Sequence, residues 1–258
     1  MQLFKRFINW NRGASQWFDR MFLPADYRID GNRDYVDNLV RTYVRPGDLI
    51  YDVGGGKRPF FSAEEKHESS LRVTGIDISE RELTRAPVGA YDEILACDIA
   101  EVAGRRDGDV VICQAVLEHV RDTENAFKGI ASLLKAGGKA LIFVPSRNAV
   151  FARMNLLLPQ KMKESILYGI YPSTRESQGF PSFYHRCTPY DFIQLSRKNG
   201  MAVEHTRFYY KSSYFEFLFP AYVLWRLYQR IAIMLIGNQA AETFFMVLVK
   251  GPPLSRSD

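Results

Sequence analysis

Cysteine is scarce in this chain. Three occur in 258 residues, Cys97, Cys113 and Cys187, with no CxxC spacing. That argues against a disulfide framework or a zinc ribbon, and a reducing, cytoplasmic setting fits best. Histidine is almost as rare, with four, so any base or ligand role has few candidates. Residues 1–22 hold no uninterrupted apolar stretch and no small-residue cleavage site, so no secretory signal is expected there. The most apolar segment, Phe215–Gly237, carries Arg226 and Arg230 in its middle, four apart and so on one helical face. Each arginine is expensive at a bilayer centre, which predicts an amphipathic helix rather than a span. Internal repeats and low-complexity tracts are missing. Hydrophobic residues at 47% and charged residues at 24% exclude a disordered or collagen-like chain. The length suits one large domain, or one core domain with insertions.

Charge is unevenly distributed. The total is +5, but residues 48–147 hold 13 basic and 17 acidic side chains. Residues 1–47 hold 8 and 5, and residues 148–258 hold 13 and 7. Only 6 of the 35 aromatics lie in 48–147. A mildly acidic, aromatic-poor centre is therefore flanked by basic, aromatic-rich ends. In the first segment Leu3, Phe4, Phe7 and Ile8 recur at helical spacing, with Lys5, Arg6 and Arg12 elsewhere on the wheel. This predicts a basic amphipathic helix, either packed on its own domain or lying on a membrane surface or substrate.

The centre alternates strand-like and helix-like stretches. Strands are expected over 48–54, 72–79, 93–99, 109–118 and 139–146, apolar enough to be covered on both faces. A helix over 122–136 carries a stripe of Ala126, Phe127, Ile130, Leu133 and Leu134, closed by Gly137-Gly138. Residues 149–187 break the rhythm with prolines and aromatics and read as a lid or substrate-side insertion. Thr188-Pro189-Tyr190-Asp191 is a helix start, and that helix should end at Asn199-Gly200. Strands are expected again over 201–212 and 242–251, with residues 213–240 inserted between them.

The strongest local signal is Tyr51-Asp52-Val53-Gly54-Gly55-Gly56-Lys57. Glycines after a strand let the backbone approach a ligand, and ligands bind at the carboxyl ends of such strands. A dinucleotide fingerprint fails, because the position of its last glycine is Pro59. A phosphate-binding P-loop fails too, because Lys57 is followed by Arg58. What remains is D-x-G-x-G, with Asp77 ending the next strand at a spacing suited to ribose hydroxyls. Asp98-Ile99 follows the third strand, where it could flank an adenine ring. QAVLEH, from Gln114 to His119, follows the fourth.

The succession DVGGGK, GIDIS, ACDI and DVVICQAVLEHVRDTENAFKGIASLLKAGGKALIFVP closely resembles the class I S-adenosylmethionine-dependent methyltransferases. It is most similar to the ubiquinone/menaquinone biosynthesis methyltransferase-like (type 11) group. The resemblance covers residues 48–147 well, and His185-Arg186-Cys187-Thr188-Pro189 resembles the family's later region. It implies an α/β, Rossmann-like three-layer sandwich with a seven-stranded, mostly parallel sheet and an antiparallel last strand, plus helical lid insertions. The organisation expected is an N-terminal helical cap over 1–47 and a methyltransferase domain over 48–258, with insertions at 149–187 and 213–240.

The resemblance also implies a cofactor, S-adenosyl-L-methionine, with S-adenosyl-L-homocysteine as product. Gly54, Gly55 and Gly56 would line its methionine part, and Asp52 would face its amino group. Asp77 would bind the ribose hydroxyls, with Ile78 against the adenine. Asp98 and Ile99 would lie at the adenine amino group, and Gln114 near the methionine end. Asp52 or Asp98 could instead merely cap a neighbouring turn. A sulfonium is a cation, so an acidic pocket suits it.

An oxygen acceptor needs its proton removed. His119 is the first candidate base and His185 the second, while either could be held structurally. Some quinone O-methyltransferases of this family carry E-x-x-E-H, linked to magnesium; here the first position is Ala115. One carboxylate and one imidazole make a poor magnesium site, so no required metal is expected. The acceptor expected is small or lipid-linked, with a cell-surface glycan intermediate ahead of a quinone precursor. A catalytically silent cofactor-binding partner subunit is the reading from another class. No nucleic-acid motif is present, and an NPPY-like motif is missing after the fourth strand. Peripheral contact with the inner face of a membrane stays open, as does the oligomeric state.

Overall fold

The inner strands of this sheet are mostly buried and its two edge strands mostly are not. The computed structural model describes residues 2–157 and 181–252. Its seven strands are β1 (Leu49–Val53), β2 (Arg72–Asp77), β3 (Glu93–Ala96), β4 (Gly108–Gln114), β5 (Leu134–Pro145), β6 (Met201–Tyr209) and β7 (Thr243–Lys250). They form one sheet in the order β3-β2-β1-β4-β5-β7-β6. β1 to β5 are parallel, and β7 runs antiparallel to both its neighbours. The runs VVIC in β4, ALIFV in β5 and FFMVL in β7 are buried almost throughout, as strands covered on both faces must be. The edge strand β3 is exposed along its length.

Helices cover both faces. On one face α4 (Thr123–Leu133) and α6 (Pro189–Lys198) bring Phe127, Ile130, Phe192 and Leu195 into the core. On the other, the helical segment α2 over residues 31–43 contributes Tyr35 and Val40, and α3 (Ala63–Glu68) lies between β1 and β2 in the chain. The Tyr35 hydroxyl donates to the Leu141 carbonyl at 2.9 Å, and the Tyr209 hydroxyl to Asp34 at 2.7 Å. Part of the expected N-terminal cap is thus built into the sheet's own packing. The result is the three-layer, Rossmann-like sandwich expected from the sequence, antiparallel strand included.

Two local expectations need correction. The helix over 122–136 ends at Leu133, and Leu134 already belongs to β5. Leu134 pairs with Gly108 before the register shifts at Val110. Gly137-Gly138 therefore serves an irregular strand start rather than a helix end. A Cβ on Gly138 would stand 2.7 Å from the Gly108 carbonyl oxygen, so only glycine fits that approach. The helix start at Thr188 is as expected: its side chain accepts from the Asp191 amide at 3.1 Å.

The second correction concerns the arginines of α7 (Phe219–Ile236). Arg226 and Arg230 share a face by spacing, yet Arg226 is 2% exposed and Arg230 is exposed. Four residues leave an offset of about 40° on a helix, enough to put one in a seam and the other outside it. The seam is with α1 (Gln2–Phe22), whose buried residues are Asn11, Ser15 and Asp19. The N-terminal helix packs on the domain, but through polar residues. Arg226 forks onto both Asp19 oxygens at 3.1 and 2.5 Å. It also donates to the Tyr210 carbonyl at 2.7 Å and to Gln229 at 2.7 Å. Gln229 and Trp225 in turn donate to buried Glu242. No helix among the described residues is long and apolar enough to cross a membrane. Most of the lid expected over 149–187, residues 158–180, lies outside the described residues; helix α5 (Val150–Leu157) precedes it.

Candidate active site

The strand order reverses between β1 and β4, and such a switch point opens a crevice at the carboxyl edge. The turns after β1, β2, β3 and β4 meet there around a cavity of about 440 Å³. Its wall includes Gly54, Asp77, Ile78, Asp98, Ile99 and His119, each a candidate from the sequence.

Gly54 has φ +76, and a Cβ on it would stand 2.2 Å from Val116 Cγ2. Its bare backbone is what lets the β1 turn pass beneath Val116. Asp77 sits at the end of β2, half-buried. Its Oδ1 accepts from the Ser79 amide at 2.8 Å, and Oδ2 would be 3.0 Å from a Cβ on Gly56. Burial raises its pKa, the Ser79 amide opposes that, and Glu82 adds to it by repulsion. Asp98 Oδ1 likewise accepts from the Ala100 amide at 2.9 Å. Both acids thus cap their own turns while lining the cavity. Such pinning fixes the carboxylates before a ligand arrives.

Asp52 is placed differently. It is buried, and its Oδ2 accepts from the Phe60 amide at 2.8 Å and the Tyr91 hydroxyl at 3.3 Å. It does not line the cavity. Burial pushes its pKa up to about 6 against those two hydrogen bonds, with Asp77 adding repulsion. Gly55 lets this arrangement exist: a Cβ there would be 2.4 Å from both Asp52 Oδ2 and the Tyr91 hydroxyl. Gln114 ends β4 and donates to Asn32 at 2.8 Å, tying residues 31–43 to the same edge.

His119 closes the short turn Leu117–His119 after β4. Its Nδ1 lies 3.1 Å from the Pro181 carbonyl oxygen and 3.3 Å from Ser182 Oγ. A carbonyl can only accept, so this contact puts the proton on Nδ1 and leaves the Nε2 lone pair available. Glu118 is buried beside it, with Oε1 3.8 Å from Nε2. Burial pushes the Glu118 carboxyl up to about 8. Its Oε2 has no hydrogen-bond partner among the described residues, as suits a neutral carboxyl. His185, the second candidate base, is exposed and outside the cavity wall. Its carbonyl oxygen accepts from the Thr123 hydroxyl at 2.5 Å.

Some lining residues gave no signal in the sequence. Ala115 has φ +52, a conformation costly for a residue with a Cβ and common at functional sites. Arg121 stacks over the Phe183 ring at 4.6 Å, and Pro181 joins them from a segment sixty residues further on. Only folding brings these groups together. The cavity walls thus carry two acids and a cation over an aromatic ring.

Comparison with known proteins decides the family. A methyltransferase-domain family matches residues 51–142. The chain is 30% identical over 203 residues to the ubiquinone biosynthesis O-methyltransferase of Idiomarina loihiensis, covering 73% of this chain and 79% of that protein. This chain is an S-adenosylmethionine-dependent methyltransferase. The enzyme of the same name from Bordetella avium is 27% identical over 197 residues, 73% of this chain and 76% of that protein. Among solved structures, phosphoethanolamine N-methyltransferase 2 of Haemonchus contortus, in complex with S-adenosyl-L-methionine, superposes with a TM-score of 0.54 at 16% identity. It covers 93% of this chain and 57% of that one. A methyltransferase from Mesorhizobium loti gives 0.53 at 18%, covering 83% and 100%. At those identities the likeness is one of fold.

The methyltransferase's cavity fits its cofactor by its own chemistry. Two pinned acids suit hydroxyl and amino donors, a bare glycine turn suits close approach, and Ile78 and Ile99 supply apolar walls. Cys97, also in the wall, is not poised as a nucleophile: burial, then Asp98 and Glu101, raise its thiol.

Proposed function

We propose that this methyltransferase O-methylates a lipid-linked acceptor, with His119 as the base. The observation that carries the reading is the His119 contact with the Pro181 carbonyl. It puts the proton on Nδ1 and leaves the Nε2 lone pair, 3.8 Å from Glu118 Oε1, on a ring that lines the same cavity as Asp77 and Asp98. When bound, S-adenosylmethionine supplies an electrophilic methyl group on a sulfonium sulfur, which leaves with the bonding pair as a thioether. Asp77 holds the ribose hydroxyls, Asp98 and Ile99 the adenine end, and Gly54 the methionine end, with Gly55 and Gly56 shaping the turn. Asp52 supports the turn through Phe60 and Tyr91. His119 Nε2 takes the proton of the acceptor hydroxyl as the oxygen–carbon bond forms. The Nδ1–H bond to Pro181 then steadies the imidazolium. His185 has no role in the chemistry.

Arg121 over Phe183 gives the acceptor side a cation and an aromatic face, suited to an anionic or aromatic ring. The names of the relatives favour a phenolic quinone precursor over the glycan intermediate that the interfacial helices and the lid put first. Ala115, where the magnesium-linked pattern has a carboxylate, points to base-assisted rather than metal-assisted deprotonation. Residues 1–47 serve as a cap, and 149–187 and 213–240 as insertions that select the acceptor. The test is transfer of a labelled methyl group to polyprenylated catechols and to lipid-linked glycans, with the product bond identified by mass spectrometry. An ether on either acceptor supports the reading. Transfer confined to nitrogen or carbon, or to water-soluble hydroxyl acceptors alone, overturns it.

A further inference from the structure

We infer that α1 and α7 form a docking surface for an anionic phospholipid bilayer. The observation is an inverted burial pattern. α1 buries Asn11, Ser15 and Asp19, spaced by four. Its exposed face carries Leu3, Phe7, Trp10, Trp17 and Met21 at helical spacing, with Trp10 67% and Met21 62% exposed. α7 does the same. It buries Tyr222, Trp225, Arg226 and Gln229, and leaves Leu224, Leu227, Ile231, Met234 and Leu235 in solvent, Met234 at 85%.

A helix that hides polar groups and shows apolar ones is not using its apolar face for folding. The hydrogen bonds of the seam already hold the two helices together. Phe219 N donates to Asn11 at 2.8 Å, Tyr222 to Asp19 at 2.6 Å, and Arg226 grips the same aspartate. Two long apolar stripes therefore stay outside, far more than scattered surface residues would give.

Charge selects the occupant. The acid of α1 is Asp19, buried and paired with Arg226. The charges α1 leaves exposed are Lys5, Arg6 and Arg20, all basic. α7 contains no acid and adds exposed Arg230. Apolar and indole side chains bordered by cations suit lipid acyl chains beneath anionic headgroups. A second copy of the same basic surface would meet it with like charge.

Topology adds a reason for the surface. β6 ends at Tyr209, which pairs with Thr243 at the start of β7, and Thr243 pairs in turn with Pro145 at the carboxyl end of β5. α7 connects β6 to β7, so it stands at the sheet edge where the cavity also opens. The surface would present that edge to a membrane-held acceptor. This use rests on the lipid-linked reading above; the binding itself does not.

Vesicle co-sedimentation tests it, with phosphatidylglycerol vesicles against phosphatidylcholine vesicles across a salt series. The wild-type chain should sediment with the anionic vesicles, and salt should release part of it. Trp10→Ser with Trp17→Ser, and separately Leu227→Ser with Ile231→Ser, should each lower the bound fraction at least tenfold. Lys5→Glu with Arg6→Glu should remove the preference for anionic lipid. Val88→Ser, which alters an apolar residue 98% exposed elsewhere, should change nothing. S-adenosylhomocysteine calorimetry on every variant checks that the fold and cofactor site survive. No binding by the wild type overturns the inference, as does binding that all three pairs leave intact. A dimer in ultracentrifugation that buries Trp10 and ignores vesicles overturns it too. Vesicle failure with labelled-methyl transfer preserved sinks the docking surface alone.

Discussion

Asp19 on α1 and Arg226 on α7, 207 positions apart, form a two-point ion pair buried from solvent. The guanidinium also satisfies the Tyr210 carbonyl and Gln229. A mid-helix arginine that would be prohibitive in a bilayer is here a bolt between the first helix and the last. Asp19→Ala leaves that guanidinium buried without its counter-charge, and should cost about 3–5 kcal/mol. Guanidinium denaturation measures it. Replacing both partners by leucine or methionine should cost clearly less, because no charge is stranded.

Asp77→Ala should weaken S-adenosylhomocysteine binding about a hundredfold, the loss of charge-assisted hydrogen bonds to two hydroxyls. Calorimetry reads it directly. Near-native affinity would contradict the ribose assignment.

His119→Ala should lower turnover by about 10² or more and leave cofactor affinity within a small factor. His185→Ala should leave both unchanged. Turnover that falls with His185 and not with His119 would reverse the base assignment.

Gly54→Ala meets two obstacles. Its φ of +76 disfavours any Cβ, and the added methyl would stand 2.2 Å from Val116. The backbone strain alone is worth about 1–3 kcal/mol. Removing the clash with Val116→Ala should restore part of the stability and not all of it. Thermal denaturation of the single and double variants separates the two contributions.

Buried Glu118 and Glu242 bind protons more tightly in the folded chain, with pKa values pushed up to about 8 and about 7. A carboxyl raised on folding gives its full contribution below its unfolded pKa and loses it as pH climbs through the folded value. Stability should therefore fall between about pH 4.5 and 8, by up to about 1.4 kcal/mol per unit for each group. Glu118→Gln should flatten that slope, gaining more at pH 8 than at pH 5. Melting curves across pH show whether it does.

The core could be read from local pattern alone. Apolar runs ending in Asp52, Asp77 and Asp98, with glycines after the first, define parallel strands and a carboxyl-edge site, because strand period and turn chemistry are local properties. Asp77, Asp98 and His119 were legible for the same reason: each lies at the carboxyl end of its strand or within five residues of it. Folding decided the rest. Asp52 lies in the right motif, yet Phe60 and Tyr91 hold its carboxylate away from the cavity. Pro181 sets the His119 tautomer from sixty-two positions away. The helix stripes decided least, because periodicity shows that a face is apolar and not which way it turns. Asp19 and Arg226 drew the polar faces of α1 and α7 inward, since a paired and hydrogen-bonded charge can be buried where a lone one cannot. The apolar faces were left outside as a consequence.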